Sequence, residues 1–149
     1  MLKVYTDGSY KNGFVSYGFL LSSPVLGGEQ IVAKVSKATT ELQNVEAELK
    51  AALYALNYVK QEKLDEKFPV IVLCSDIDII KKALSGKVNS QNPEVVKYVE
   101  ELKNIAKSLK CRLCLEKVRG HENHVHNKLD IHLRRKINRY IAERTQAYA

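Results

Sequence analysis

The chain has 149 residues, 45% hydrophobic and 28% charged. That is enough to bury a core in one domain spanning 1–149 without disulfide or metal staples. No apolar run approaches a membrane span, and the opening MLKVYTDG reads as a strand entering a turn rather than a signal peptide. Three cysteines, an odd number, suit free thiols in a reducing compartment, so a cytoplasmic protein with no membrane partner is expected. The formal net charge is +7, and the whole excess lies in residues 101–149, where 12 basic groups face 5 acidic ones. A one-sided basic field suits a polyanion such as nucleic acid; a solvated basic face is the plainer alternative.

LKVYTD reads as the first strand, ending at Asp7, with GSYKNG as a short turn. VSYGFLLSS is the second strand, PVLGGE a Pro/Gly turn and QIVAKVSK the third strand, together an antiparallel meander. ELQNVEAELKAALYALNYVKQEKL is the strongest helix, since Val45, Leu49, Ala52, Leu53, Leu56 and Val59 recur at helical spacing. PVIVLCS has the apolar run of a buried central strand. DIDIIKKAL is a short helix, and PEVVKYVEELKNIAKSLK is a longer one with Pro93 at its first position. CRLCLEKV is the fifth strand, RGHENHVH a polar loop and NKLDIHLRRKINRYIAER the last helix. The order predicts an α/β fold. Its mixed five-stranded sheet has an antiparallel meander of strands 1–3, then parallel strands 4–5, with helices on both faces.

Four acids fall where charge is awkward. Asp7 and Asp76 follow apolar strands, at the strand ends where open α/β sheets place ligands. Glu48 sits on the edge of the buried stripe of the long helix, whereas Glu46 points more nearly outward beside Lys50. Asp130 borders the stripe of Leu133 and Ile137. Taken singly, Asp7 is a turn residue, Asp76 a helix N-cap, and Glu48 and Asp130 surface acids. Taken together, they repel unless a cation cancels the charge. Carboxylates without a Cys or His set favour Mg²⁺ or Mn²⁺ over zinc. Cys111 and Cys114 have CxxC spacing, but residues three apart on a strand face opposite ways.

These residues resemble ribonuclease H of type 1. TDGSY around Asp7 resembles that family's first-strand motif, and NVEAELKAALYAL its first helix, with Glu48 in the acidic position. CSD, ending at Asp76, is similar to the end of its fourth strand. VRGH followed by NKLDIHLRR resembles its histidine loop and final acid, Asp130. The resemblance spans nearly the whole chain. It implies a ribonuclease H-like fold and endonucleolytic cleavage of the RNA strand of an RNA–DNA hybrid, leaving 5′-phosphate and 3′-hydroxyl ends. Asp7, Glu48, Asp76 and Asp130 would hold two Mg²⁺ ions, with Mn²⁺ as substitute, about 4 Å apart across the scissile phosphate. His121 would move protons or help product leave, with His124 as its runner-up; a metal site among His121, His124 and His126 is the alternative. Gly8, Ser9, Asn44 and Asn127 would contact substrate, Asn44 at sugar hydroxyls and Gly8 by letting the backbone approach the RNA.

The chain departs from the family in four places. The first turn is short, Asp78 adds negative charge near the substrate path, there is no room for a basic protrusion before Pro93, and Trp is absent. Weaker hybrid binding with steep salt dependence is expected, compensated in part by the basic C-terminal third. Double-stranded RNA is a second candidate substrate, and a monomer is expected. The rival readings are a weak or inactive hybrid-binding module and a resolvase- or integrase-type nuclease of the same superfamily.

Overall fold

Five strands form one sheet: β1 (Leu2–Lys11), β2 (Phe14–Ser23), β3 (Gly28–Lys37), β4 (Val70–Ser75) and β5 (Arg112–Lys117). The helices are α1 (Asn44–Gln61), α2 (Leu64–Lys67), α3 (Asp78–Leu84), α4 (Pro93–Ser108) and α5 (His124–Ala147). The computed structural model describes residues 1–76, 78–86, 91–119 and 122–147. The strand order is β3-β2-β1-β4-β5. β1 pairs antiparallel with β2, and β2 with β3; β4 pairs parallel with both β1 and β5. This is the mixed sheet that the element order predicts.

β1 is longer than its sequence suggests. Asn12 and Gly13 both have positive φ, 50° and 82°, which suits the tight two-residue hairpins whose twist matches that of the strands. The β1–β2 ladder therefore continues to Lys11↔Phe14 and pairs Asp7 with Gly18. Asp7 is not at the end of its strand. It lies just past the last rung of the parallel ladder, Tyr5↔Cys74. Beyond that rung β1 is paired with a strand on one side only, which opens the sheet between β1 and β4 at this level.

Alternation along the strands gives each face its own core. Leu2, Val4, Phe19, Leu21, Ile71 and Leu73 pack with Leu49, Ala52 and Leu56 of α1 and with Leu102 of α4. Tyr5, Leu20, Val72 and Cys74 pack on the other face against Leu129 and Leu133 of α5. Each fully buried Leu of this kind contributes about 1.5–3 kcal/mol. α1 lies close against the sheet because Ala47, Ala51 and Ala55, four residues apart, are fully buried. A Cβ on Gly8 would stand 2.4 Å from the backbone carbon of Ala47.

α5 starts earlier than expected. The run expected as a polar loop already turns helical at His124. Asn123 caps it, its Oδ1 accepting from the His126 N–H at 2.9 Å, a standard use of Asn at a helix start. Cys74, Cys111 and Cys114 are free thiols, and neither residue of the CxxC pair belongs to a cluster with ligand spacing among the described residues.

Candidate active site

Four separated segments deliver the carboxylates. β1 carries Asp7, the first turns of α1 carry Glu48, the end of β4 delivers Asp76, and α5 carries Asp130. Asp7 and Glu48 are buried, 4% and 6% exposed. They share a hydrogen bond, and the Gly8 N–H also donates to Glu48. Asp76 adds charge close enough to act on both, and Asp130 acts on Asp7.

Burial first, then the charges of Asp76 and Asp130, push the Asp7 carboxyl up to about 6, although the bond to Glu48 and the neighbouring His126 pull the other way. Burial also drives Glu48 well above the usual carboxylate range, followed by the charge of Asp7 and the bond between them. Of the two, Glu48 keeps the proton and Asp7 accepts. Oε2 of Glu48 and Oδ1 of Asp76 are buried without a hydrogen-bond partner. Such groups are expensive to leave unmet, about 1–3 kcal/mol each and more when charged. Orphaned carboxylate oxygens within one cluster of acids fit a hard divalent cation.

A cavity of about 330 Å³ opens onto this cluster, lined by Asp76, His126 and Asp130 within and by Lys117, Arg119 and Arg134. Acids at the floor and cations at the rim suit a metal-bridged phosphodiester, since the rim offsets phosphate charge. Arg134 Nε lies 3.2 Å from Asp130 Oδ1, one turn away on α5.

The other anticipated site residues are placed as follows. Asn44 is exposed at the start of α1, and its Oδ1 accepts from the Tyr10 N–H at 3.1 Å, leaving its amide N–H groups to donate. Ser9 is half-buried on β1 opposite Ser16. Asn127 is half-buried in the first turn of α5. His121 lies outside the described residues, and His124 is exposed on α5. The glycine at position 8 was expected to let substrate come close. The structure adds a second reason for a glycine there, because α1 occupies the space where a side chain would be.

One further expectation needs correction. Glu46 does not point outward. It is fully buried, and its carboxylate accepts from the Thr39 and Thr40 N–H groups and the Thr40 hydroxyl while pairing with Lys50 at 2.9 Å. Burial alone would raise its carboxyl, but these partners outweigh it and hold the group below its ordinary value. Asp78 keeps its negative charge and pairs it: Lys117 Nζ lies 3.0 Å from its Oδ1 and holds its carboxyl low.

His126 entered the sequence reading only as one member of an alternative histidine metal site, and Lys117 and Arg119 were not singled out. His126 is 1% exposed, with Nε2 3.2 Å from the Thr6 carbonyl oxygen and 4.0 Å from Asp7 Oδ1. The signal was present: His126 precedes Asp130 by four, so both lie on one helix face.

A mixed sheet in this order, with acids from β1, α1, β4 and α5 meeting where the parallel strands end, defines the ribonuclease H-like class of fold. The profile of the RNase H family matches residues 1–133. The chain belongs to the RNase H family. No curated protein matches it. Among solved structures it resembles RNase H1 from the halophilic archaeon Halobacterium salinarum NRC-1, with TM-score 0.65 and 19% identity over 78% of this chain and 84% of that one. It also resembles the N-terminal RNase H domain of a Mycobacterium tuberculosis protein, with TM-score 0.67 and 17% identity over 87% and 91%. A third is LC11-RNase H1, isolated from compost by a metagenomic approach, with TM-score 0.71 and 16% identity over 91% and 97%. LC11-RNase H1 has also been solved in complex with an RNA/DNA hybrid.

Proposed function

We propose that this chain is an endonuclease that hydrolyses the RNA strand of RNA–DNA hybrids, leaving 5′-phosphate and 3′-hydroxyl ends. Asp7, Glu48, Asp76 and Asp130 hold two Mg²⁺ ions, for which Mn²⁺ substitutes. The observation that carries this reading is the convergence of buried carboxylates with unmet oxygens at Glu48 and Asp76 beneath a rim of Lys117, Arg119 and Arg134. When bound, divalent ions supply the Lewis acidity that activates water and stabilises the departing oxygen. The acids fix where that chemistry happens. Glu48 and Asp7 release their shared proton when a cation takes its place, because burial and mutual charge raised them only in the cation's absence. The rim cations bind flanking phosphates. Asn44 reads the 2′-hydroxyls, which only the RNA strand carries, Gly8, Ser9 and Asn127 contact the substrate, and His121 moves protons at the departing product.

That LC11-RNase H1 has been solved with an RNA/DNA hybrid supports the choice of substrate. The protein acts as a single-domain monomer in the cytoplasm, with double-stranded RNA as a side substrate. Labelled RNA–DNA hybrid, double-stranded RNA, double-stranded DNA and a four-way junction, each incubated with Mg²⁺, test the assignment. Hybrid is cut fastest and the RNA fragments carry 3′-hydroxyls. Preferential cutting of the junction would make it a resolvase-type enzyme, and hybrid binding without cutting would make it a binding module.

A further inference from the structure

We propose that Asp78 limits the affinity for substrate by holding Lys117 in an ion pair, from which a backbone phosphate of the hybrid must draw it. This rests on the reading of the acid-floored cavity as the place where the hybrid's backbone lies, and it names the residue of this chain that restrains binding there.

Lys117 stands between two hollows. On one side it lines the cavity of about 330 Å³ that holds Asp76 and Asp130. On the other it lines a narrow hollow with Asp78, of about 20 Å³, which has room for a water but not for a phosphate. Its ammonium lies 3.0 Å from Asp78 Oδ1. The backbone sets this geometry: Lys117 pairs with Ser75 in the β4–β5 ladder, one residue before Asp76, and Asp78 opens α3. The other rim cations are paired as well, Arg119 with Glu122 at 3.5 Å and Arg134 with Asp130 at 3.2 Å, each with a neighbour one turn away. Of the three, the Asp78–Lys117 pair alone joins distant elements, and its acid lies outside the cavity.

The pair is loosely held. The Lys117 and Asp78 side chains are 56% and 55% exposed, so water screens their attraction. As a tie between α3 and β5 the pair has little to give, because exposed ion pairs contribute close to nothing to stability. As a competitor for a cation beside a phosphate site it needs only to be present. A lysine carries its charge on a flexible four-carbon stem and can turn from one hollow to the other. Asp78 is not left bare when it does, since the charges of Lys82 and Lys81 on its own helix also act on it. The exchange of carboxylate for phosphate is therefore open, but the lost pair is subtracted from binding.

Anisotropy of a fluorescently labelled RNA–DNA hybrid, titrated with the full chain in EDTA so that the hybrid stays intact, reads the affinity. Asp78→Asn binds about two- to fivefold more tightly than wild type, the reach of one exposed ion pair. Asp78→Ser, which starts a helix as well as Asp does, shows the same gain and decides the matter if the first variant does not fold. Lys117→Gln binds more weakly than wild type. In the Lys117→Gln background, Asp78→Asn shifts affinity by less than about 1.5-fold, because no cation is left to release. A gain of full size in that background overturns the proposal, since Asp78 then acts on the phosphates through its own charge. Unchanged or weaker binding by both Asp78 variants overturns it too. With either result, wild type that binds hybrid and cuts it with Mg²⁺ keeps the nuclease standing. Wild type that neither binds nor cuts overturns both.

Discussion

Two glutamates two residues apart on α1 take opposite roles because of what covers them. Burial, then the acids around it, push Glu48 up; Glu46 is buried too but meets donors and is held down. The helical spacing of α1 made Glu48 legible as an acid at the core margin. It could not reveal Glu46, because the donors at Thr39 and Thr40 come from the chain folding back over the first turn, a contact with no helical period. Glu46→Gln removes the charge from five contacts and leaves Lys50, whose side chain is 17% exposed, without its partner. Urea unfolding should show a loss of about 2–3 kcal/mol, and the folded fraction should keep its cleavage rate. Loss of cleavage with unchanged stability would move Glu46 into the site.

Asp7→Asn should act the other way on stability. In the metal-free protein, Asp7 is raised from 3.8 to about 6, so the native state holds more protons than the unfolded one across that window. The favourable contribution is complete below about pH 4 and is lost as pH rises through about 6. At pH 7 without metal, the Asp7 charge destabilises by an order of 1–3 kcal/mol. Asp7→Asn should then unfold later than wild type at pH 7, and the gap should close at pH 4.5. Glu46 acts oppositely, since its lowered carboxyl favours folding above its ordinary range, so the comparison with the variant isolates the Asp7 contribution. The same variant should lose at least about 10²–10³-fold in cleavage. An Asp7→Asn protein less stable than wild type at pH 7 without metal would make Asp7 structural.

At the scale of elements, the seating of α1 on β1 sets the distance from Glu48 to Asp7. Gly8→Ala would drive a methyl into the Ala47 backbone, 2.4 Å away. Overpacking of that kind costs about 1–3 kcal/mol and spreads the two acids, so stability and cleavage should fall together in urea unfolding and hybrid assays. Cleavage lost at full stability would return Gly8 to the role of substrate contact. The start of α5 was the least legible boundary. Its first residues are polar, and HENHVH lacks an obvious apolar stripe, yet Val125 stands four before Leu129 and packs against the cluster that contains it. The hairpin was misjudged for a related reason, because Asn12–Gly13 was absorbed into a longer turn and Asp7 was set at a strand end. Both errors concern where an element stops. The order and direction of the strands, which depend on apolar patterning over longer stretches, came through.

Over the whole molecule the decisive fact is convergence, which no local pattern states. Singly each acid has a plain reading; the four became recognisable together, and through the likeness of the motifs around them to those of the family. Charge is distributed to match. Lys117, Arg119 and Arg134 rim the acid floor, and Lys34, Lys136 and Arg139 line a second hollow between β3 and α5. Hybrid binding should weaken steeply with salt, and Arg119→Gln should lower the slope of log Kd against log salt by about 1. A slope near zero would mean that the basic excess is only a solvated face.

The most direct test of the shared site is cleavage of an end-labelled RNA–DNA hybrid by protein first stripped with EDTA. Wild type should be silent until Mg²⁺ or Mn²⁺ is restored and should then cut only the RNA strand, while Asp7→Asn stays silent under every condition. Cutting that persists in EDTA, or that survives Asp7→Asn, would contradict the account.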